Sequence, residues 1–366
     1  MTARTVTRHA PGKLYIAGEY AVMEPGNPAI LMAVDRYVSV RVSGTCDADV
    51  AVASDLAPSE TRLRRGKDGL CGCTADDEQR ARNLLAPVVS VIDLLDELQA
   101  ERGMAPPAMR VSITSALHDK GTKLGLGSSG AVTVATVAAV AAYCGIALPR
   151  EARYRIALLA TARLDARSSG GDLAASVWGG WIAYQAPDRA AVLDVARHHG
   201  IEETLRAPWP GLGVRELRPP GGLAVEVGWT GVPVATSSMV SRWRGSAAHR
   251  AFTAGTDDCV RGVIRALHRG DLHELVYRIR AARRLLAALD EEVGAGIFTS
   301  RLTALCDMAE AAGGAAKPSG AGGGDCGIAV VDATAQREIR ELRTQWSAIG
   351  VRPVSVRAAA VKGEDG

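Results

Sequence analysis

The sequence has no strong excess of charge of either sign. Its 43 basic and 40 acidic residues leave a net +3 and a pI near 8.5. That balance excludes a polybasic nucleic-acid binder and an acidic disordered chain, yet it leaves room for a local basic pocket for a small anion. Cysteine is scarce and scattered. The seven residues Cys46, Cys71, Cys73, Cys144, Cys259, Cys306 and Cys326 are odd in number, and only Cys71 and Cys73 are close. No second pair or nearby His completes a zinc site, so reduced thiols and a cytoplasmic protein are expected. The amino end, MTARTVTRHAPGK, has no apolar core of a secretory signal. No repeat, no low-complexity tract, no HExxH and no G-x-S-x-G elbow is found.

What remains is the makeup of a globular protein. Hydrophobic residues make up 47% and charged ones 23%, and 366 residues suggest about two domains at roughly 150 each. Residues 124–149 carry no charge and imitate a membrane span, but alanine dominates and neither an aromatic belt nor flanking Lys/Arg supports insertion. A helix apolar all round is expected in the core. The patterning predicts strands within 28–42, 109–117, 179–185, 223–230, 328–331 and 351–356. It predicts helices over 78–102, 129–143, 150–165, 242–255, 257–269, 271–292, 296–312 and 333–348. Residues 186–222, rich in Pro, Gly and charge, read as a linker, and the tail KGEDG as frayed. Strands and helices mix without a regular βαβαβ repeat, which favours an α+β protein of two domains, at 1–205 and 206–366.

Glycine and small hydroxyl residues concentrate in four segments: Ala10–Tyr20, Lys123–Ala131, Lys317–Asp325 and Ser168–Asp172. The second, KLGLGSSGA, opens into the uncharged helix. Free N–H groups and the dipole at such a helix start form an anion site, and glycine lets the backbone approach a ligand. Ser128 and Ser129 suit a cap, a phosphate or a phosphate-bound cation; a plain capped turn is the competing reading. The loop is neither a Walker A motif nor G-x-G-x-x-G. Only six residues are lysine against 37 arginine, and Lys13, Lys120, Lys123 and Lys317 lie in or beside the glycine-rich segments. Lysine is a compact point charge suited to phosphate. Asp172 has room beside it for a substrate and suits a general base, a metal ligand or, foremost, a helix N-cap.

APGKLYIAGEY, KLGLGSSGAV and KPSGAGGGDCGIAVV resemble, in order, the three motifs of the GHMP small-molecule kinases. Gly18-Glu19-Tyr20, Gly130, SGGDLAASVWGGWIAY and VGWTGVP are similar to the bacterial-type phosphomevalonate kinase branch. The resemblance implies a ribosomal protein S5 domain 2-like N-terminal domain, a ferredoxin-like C-terminal domain and a cleft between them. It implies transfer of phosphate from ATP to 5-phosphomevalonate with Mg²⁺, by a monomer or homodimer with no nucleic-acid or membrane partner. It also implies roles. Lys123, Gly125, Leu126, Gly127, Ser128, Ser129 and Gly130 would hold the ATP phosphates, with Ser129 on the metal. Lys13 and Asp172 would be catalytic, Asp172 orienting Lys13. Tyr20, Ser168, Ser169, Lys317, Ser319, Gly320 and Ala321 would line the substrate, and Lys13, Lys317 and one of Arg163, Arg167 or Arg242 would meet the two polyanions. Thr161 stands where mevalonate kinases carry a metal-binding Glu, which thins the metal site. Mevalonate kinase activity and a non-catalytic metabolite-binding relative are the alternatives.

Overall fold

The computed structural model describes residues 4–119, 121–232 and 247–360. β1 (Thr5–Ala17) and β2 (Pro28–Ser43) form a long antiparallel pair, followed by β3 (Val50–Ser54), β4 (Thr61–Gly66) and β5 (Gly69–Gly72). Helices α1 (Ala75–Asn83) and α2 (Ala86–Glu101) lead to β6 (Met109–Ser115). A small hairpin of β7 (His118–Asp119) and β8 (Thr122–Lys123) then feeds α3 (Ser128–Cys144). After α4 (Arg150–Leu164) and α5 (Gly171–Trp178) come β9 (Trp181–Gln185), α6 (Arg189–Arg206) and β10 (Gly213–Leu217). The strands join one eight-stranded sheet in the order β10-β9-β2-β6-β3-β4-β5, with β1 also on β2.

The second part holds β11 (Leu223–Trp229), α7 (Ala247–Arg269), α8 (Leu272–Val293), α9 (Ser300–Ala311), β12 (Ala315–Pro318), β13 (Cys326–Asp332), α10 (Gln336–Ala348) and β14 (Arg352–Pro353). Its sheet runs β12-β13-β11-β14 with every neighbour antiparallel. That is the split βαβ order of a ferredoxin-like layer. The chain then returns to the first sheet through an Ala358–Val34 bridge and a Gly180 N–H bond to Ala359 O at 2.9 Å.

The uncharged run folds as a core helix. Ten of the seventeen α3 residues are buried, and α2, α4, α5, β1 and β2 surround it. Mostly small side chains let these neighbours approach on every side. Among the described residues no helix is long and apolar enough to cross a membrane.

Three expectations are corrected. The helix expected at 78–102 is two, because the turn at Leu84–Leu85 precedes Pro87, which favours a helix start. The linker expected at 186–222 holds α6 and the strand β10, which pairs with β9; Asp188 caps α6 by accepting from Ala190 and Ala191 N–H. The crossover shrinks to 218–222, so we propose moving the boundary from 205/206 to that stretch. The helices expected at 242–255 and 257–269 are continuous from Ala247, while residues 242–246 and the tail KGEDG lie outside the described residues.

Asp93 on α2 accepts the Leu70 N–H at 2.8 Å, and burial, aided by Asp96 and Glu97, raises its carboxyl from 3.8 to about 6. A carboxyl whose pKa is raised on folding binds more protons in the folded state, so stability falls as pH rises from about 4 to 6. Asp93→Asn keeps an acceptor for Leu70. Thermal melts should show it stabilising at pH 8 by about 1 kcal/mol, once partial exposure is allowed for, with little gain at pH 4.5. An equal shift at both pH values would contradict this.

Candidate functional site

The start of α3 is the centre of the site. Its N-cap is Gly127 in the left-handed region (φ 76°), and no side chain caps the helix. Neither Ser128 nor Ser129 acts as the cap, because both lie inside the first turn; Ser128 is half-buried and Ser129 exposed. The first-turn N–H groups therefore keep their donor capacity beside two serine hydroxyls. Leu126 O accepts the Lys13 N–H at 2.8 Å, which seats the loop on β1.

Lys13 and Asp172 lie against successive parts of this helix start. A Cβ at Gly127 would sit 2.9 Å from Lys13 Cε, and one at Gly130 would sit 2.5 Å from an Asp172 carboxylate oxygen. Gly130 thus lets the carboxylate reach the helix. Lys13 is 9% exposed, with Nζ 5.3 Å from the centre of the Tyr15 ring and no ion pair or side-chain hydrogen bond among the described residues. No ion pair between Asp172 and Lys13 is formed among the described residues; the two reach the helix start from α5 and β1. Nor is Asp172 an N-cap. It sits in the first turn of α5, whose cap is Gly170 in the left-handed region (φ 75°), again without a side-chain cap.

Tyrosines hold the segment before Asp172. Tyr154 and Tyr184 share a hydroxyl bond of 2.7 Å, Tyr184 donates to Ser169 O, and Tyr15 bonds Ser169 Oγ at 3.1 Å. Burial and then the Asp172 charge push the Tyr15 phenol well above its ordinary range, so it stays neutral. Ser168 is half-buried and bonds Asp165 O through its N–H at 3.0 Å.

The third glycine segment arrives from the second sheet. Ser319 Oγ accepts from Tyr15 N–H at 2.9 Å and donates to Tyr15 O at 3.0 Å. Tyr20 OH donates to Ala321 O. A Cβ at Gly320 would lie 4.0 Å from Lys13 Nζ. Cys326 Sγ donates to Leu124 O at 2.9 Å.

Several expected cations are committed elsewhere. Lys317 is fully buried, with Nζ on Glu19 and on Pro318 O at 2.8 Å, so it presents no charge to a ligand. Arg163 grips Glu97 at 2.6 and 2.8 Å, and Arg167 grips Asp165 at 3.0 Å. Lys123 is exposed on β8, in the hairpin before the loop. Lys120 and Arg242 lie outside the described residues. Thr161 Oγ1 bonds Ala157 O of its own helix at 2.9 Å. No group of three His, Cys, Asp or Glu among the described residues could hold a metal. The residues that sequence reasoning missed are Tyr15, Glu19, Tyr154 and Tyr184. Tyr15, Glu19 and Tyr184 stood in motifs and Tyr154 in none, and no spacing signal marked any of them.

The family models "GHMP kinases N terminal domain" and "GHMP kinases C terminal" match residues 88–180 and 263–348. A phosphomevalonate kinase of Streptomyces sp. (strain CL190) is 58% identical over 365 residues, 97% of this chain and 98% of that relative. A Listeria innocua protein of known structure has a TM-score of 0.87 at 30% identity, covering 99% of this chain and 100% of that one. Streptococcus pneumoniae phosphomevalonate kinase in complex with phosphomevalonate and AMPPNP has a TM-score of 0.82 at 25% identity, covering 96% and 99%.

The tyrosine chain gives an ordered stability test. Tyr184→Phe strands both Ser169 O and the Tyr154 hydroxyl, and should destabilise by about 1–3 kcal/mol in urea titration. Tyr154→Phe leaves the Tyr184 bond to Ser169 intact and should do less. The reverse order would break the assignment of Tyr184 as the anchor.

Proposed function

The chain belongs to the GHMP kinases, and from that premise we propose that it phosphorylates (R)-5-phosphomevalonate to (R)-5-diphosphomevalonate with ATP, in the mevalonate route to isoprenoids. The observation that carries this reading is the uncapped start of α3 with Lys13 and Asp172 set against it. The relative identical at 58% over nearly the whole chain supports the choice of acceptor. Mevalonate kinase activity is the second reading, and the acceptor assay below separates the two. The free thiols and the lack of a membrane-spanning helix among the described residues suit a cytoplasmic enzyme.

Phosphoryl transfer needs positioning and charge stabilisation more than covalent help from the protein, because its transition state is loose. The backbone N–H groups of Ser128, Ser129 and Gly130 face the nucleotide phosphates, with the helix dipole behind them. Lys13 stabilises charge on the transferred group. Its near-burial and its lack of a carboxylate partner among the described residues leave its charge available for that purpose. The acceptor is a phosphate oxygen. A phosphomonoester has a second pKa near 6 and is mostly dianionic at pH 7, so little proton remains to be removed. Asp172 orients the acceptor and does not serve as a base.

Mg²⁺ fits the donor set. Ser129 has an exposed hydroxyl not used as a cap, and the Asp172 carboxylate lies beside Gly130, the next residue. Magnesium is commonly bound by one or two carboxylates plus substrate phosphates rather than by an all-protein cage. When bound, it would neutralise phosphate charge, with Ser129 and Asp172 as the residues that hold it.

A coupled ADP-release assay tests the acceptor: turnover with 5-phosphomevalonate and at most a trace with mevalonate is expected, and the opposite preference would overturn the assignment. In the same assay Lys13→Met should lower kcat by about 10²–10⁴. Near-normal turnover would remove Lys13 from the site. For Asp172→Asn, the loss of kcat should be of similar size from pH 6 to 9. A deep loss below pH 7 that recovers well above it would make Asp172 a true base.

A further inference from the structure

The Lys317–Glu19 pair joins residues 298 positions apart, one in the turn after β1 and one in the second sheet, with side chains 0% and 4% exposed. Replacing a buried ion pair by apolar groups is often neutral or stabilising, so stability alone does not account for it. Its surroundings do. Glu19 stands between Gly18 (φ 98°) and Tyr20 (φ 62°), in the sharp turn that ends β1, the strand of Lys13 and Tyr15. Lys317 stands on β12, directly before Ser319, Gly320 and Ala321. Glu19 also accepts from Gly320 N–H at 3.4 Å, a long bond that adds direction more than strength. With the Ser319–Tyr15 and Ala321–Tyr20 bonds, each of the three loop residues is fastened to the 15–20 segment. The fastened loop passes Lys13 Nζ at Gly320.

We propose that Glu19 and Lys317 are positioning residues: their buried ion pair sets the Ser319–Ala321 loop against Lys13 and thereby tunes binding of the phosphorylated acceptor. Neither side chain touches substrate. The inference deepens the kinase reading and rests on it for the acceptor's identity.

The test compares Glu19→Gln, Lys317→Met and the double variant. The single variants leave one buried charge unpaired and carry the risk of misfolding; the double leaves none. In the double variant, KM for 5-phosphomevalonate should rise by about tenfold or more, with KM for ATP within about twofold of wild type. Hydrogen exchange at residues 319–323 should quicken, while α3 keeps its protection. Wild-type KM values with only a changed Tm would show the pair to be purely structural and overturn the proposal. An equal rise of both KM values would overturn it as well. Should wild type turn over neither mevalonate nor 5-phosphomevalonate, the acceptor assignment falls, and the exchange measurement still decides whether the pair holds the loop.

Discussion

The site depends on two helices that begin without side-chain caps. An Asp, Ser or Asn cap would satisfy the first-turn N–H groups of α3 and close them to a ligand. A left-handed glycine brings the chain into α3 and into α5 instead, leaving the donors of one and the carboxylate of the other in the same region. Such an arrangement is useful only if the helix start is held still. The burial of α3, and the Lys13–Leu126 backbone bond that joins its loop to β1, supply that rigidity. An alanine-rich sequence that looks featureless therefore serves the chemistry, because bulky side chains would push away the strands and helices that bear the other groups.

The placement of positive charge follows the same economy. Arginines pair at or near the surface, as Arg163 does with Glu97, Arg167 with Asp165 and Arg343 with Glu226. The two lysines of the first and third glycine segments are the buried ones. An ammonium on a slim stem fits between backbones where a planar guanidinium does not. The two nevertheless act differently. Lys13 faces the helix start over an aromatic ring and is in no ion pair among the described residues, whereas Lys317 is neutralised by Glu19. Residue type and motif alone do not separate these roles; the position of Glu19 does.

Most of the helices and the strands β2, β6, β9, β11 and β13 could be read from periodicity, whereas β1, β3, β4, β5 and β12 were not among the expected strands. The uncharged helix at 128–144, the strand at 109–115 and the long helix at 272–293 fall where the sequence places them. Reading failed where composition and tertiary context disagreed. Residues 186–222 look like a linker because Pro, Gly and charge are dense within them, yet the edge of β9 recruits Gly213–Leu217 as a strand, and α6 forms helical turns on both sides of a kink at Gly200 (φ 82°). The glycine segments were legible as a group since each is dense in unusual residues. The tyrosine chain was not, because Tyr15, Tyr154 and Tyr184 come from a strand, a helix and another strand, and only folding sets them in line.

Cys326 shows how tightly charge must be controlled around such a site. Its Sγ donates to Leu124 O, one residue before the glycine loop, and burial pushes its thiol up to about 12. A thiol in that state remains protonated at any physiological pH, so it can donate to a carbonyl and adds no negative charge near the phosphates. A carboxylate there could not donate to Leu124 O, and it would add a second negative charge beside Asp325, whose side chain already lies against Gly125. An ammonium would donate, but it would carry a desolvation penalty of its own unless paired, as Lys317 is. A small neutral donor thus ties the third glycine segment to the second, while an ion pair ties it to the first. The difference follows the charge each neighbour can tolerate: the helix start must stay open to an anion, whereas the Glu19 turn can be neutralised without loss.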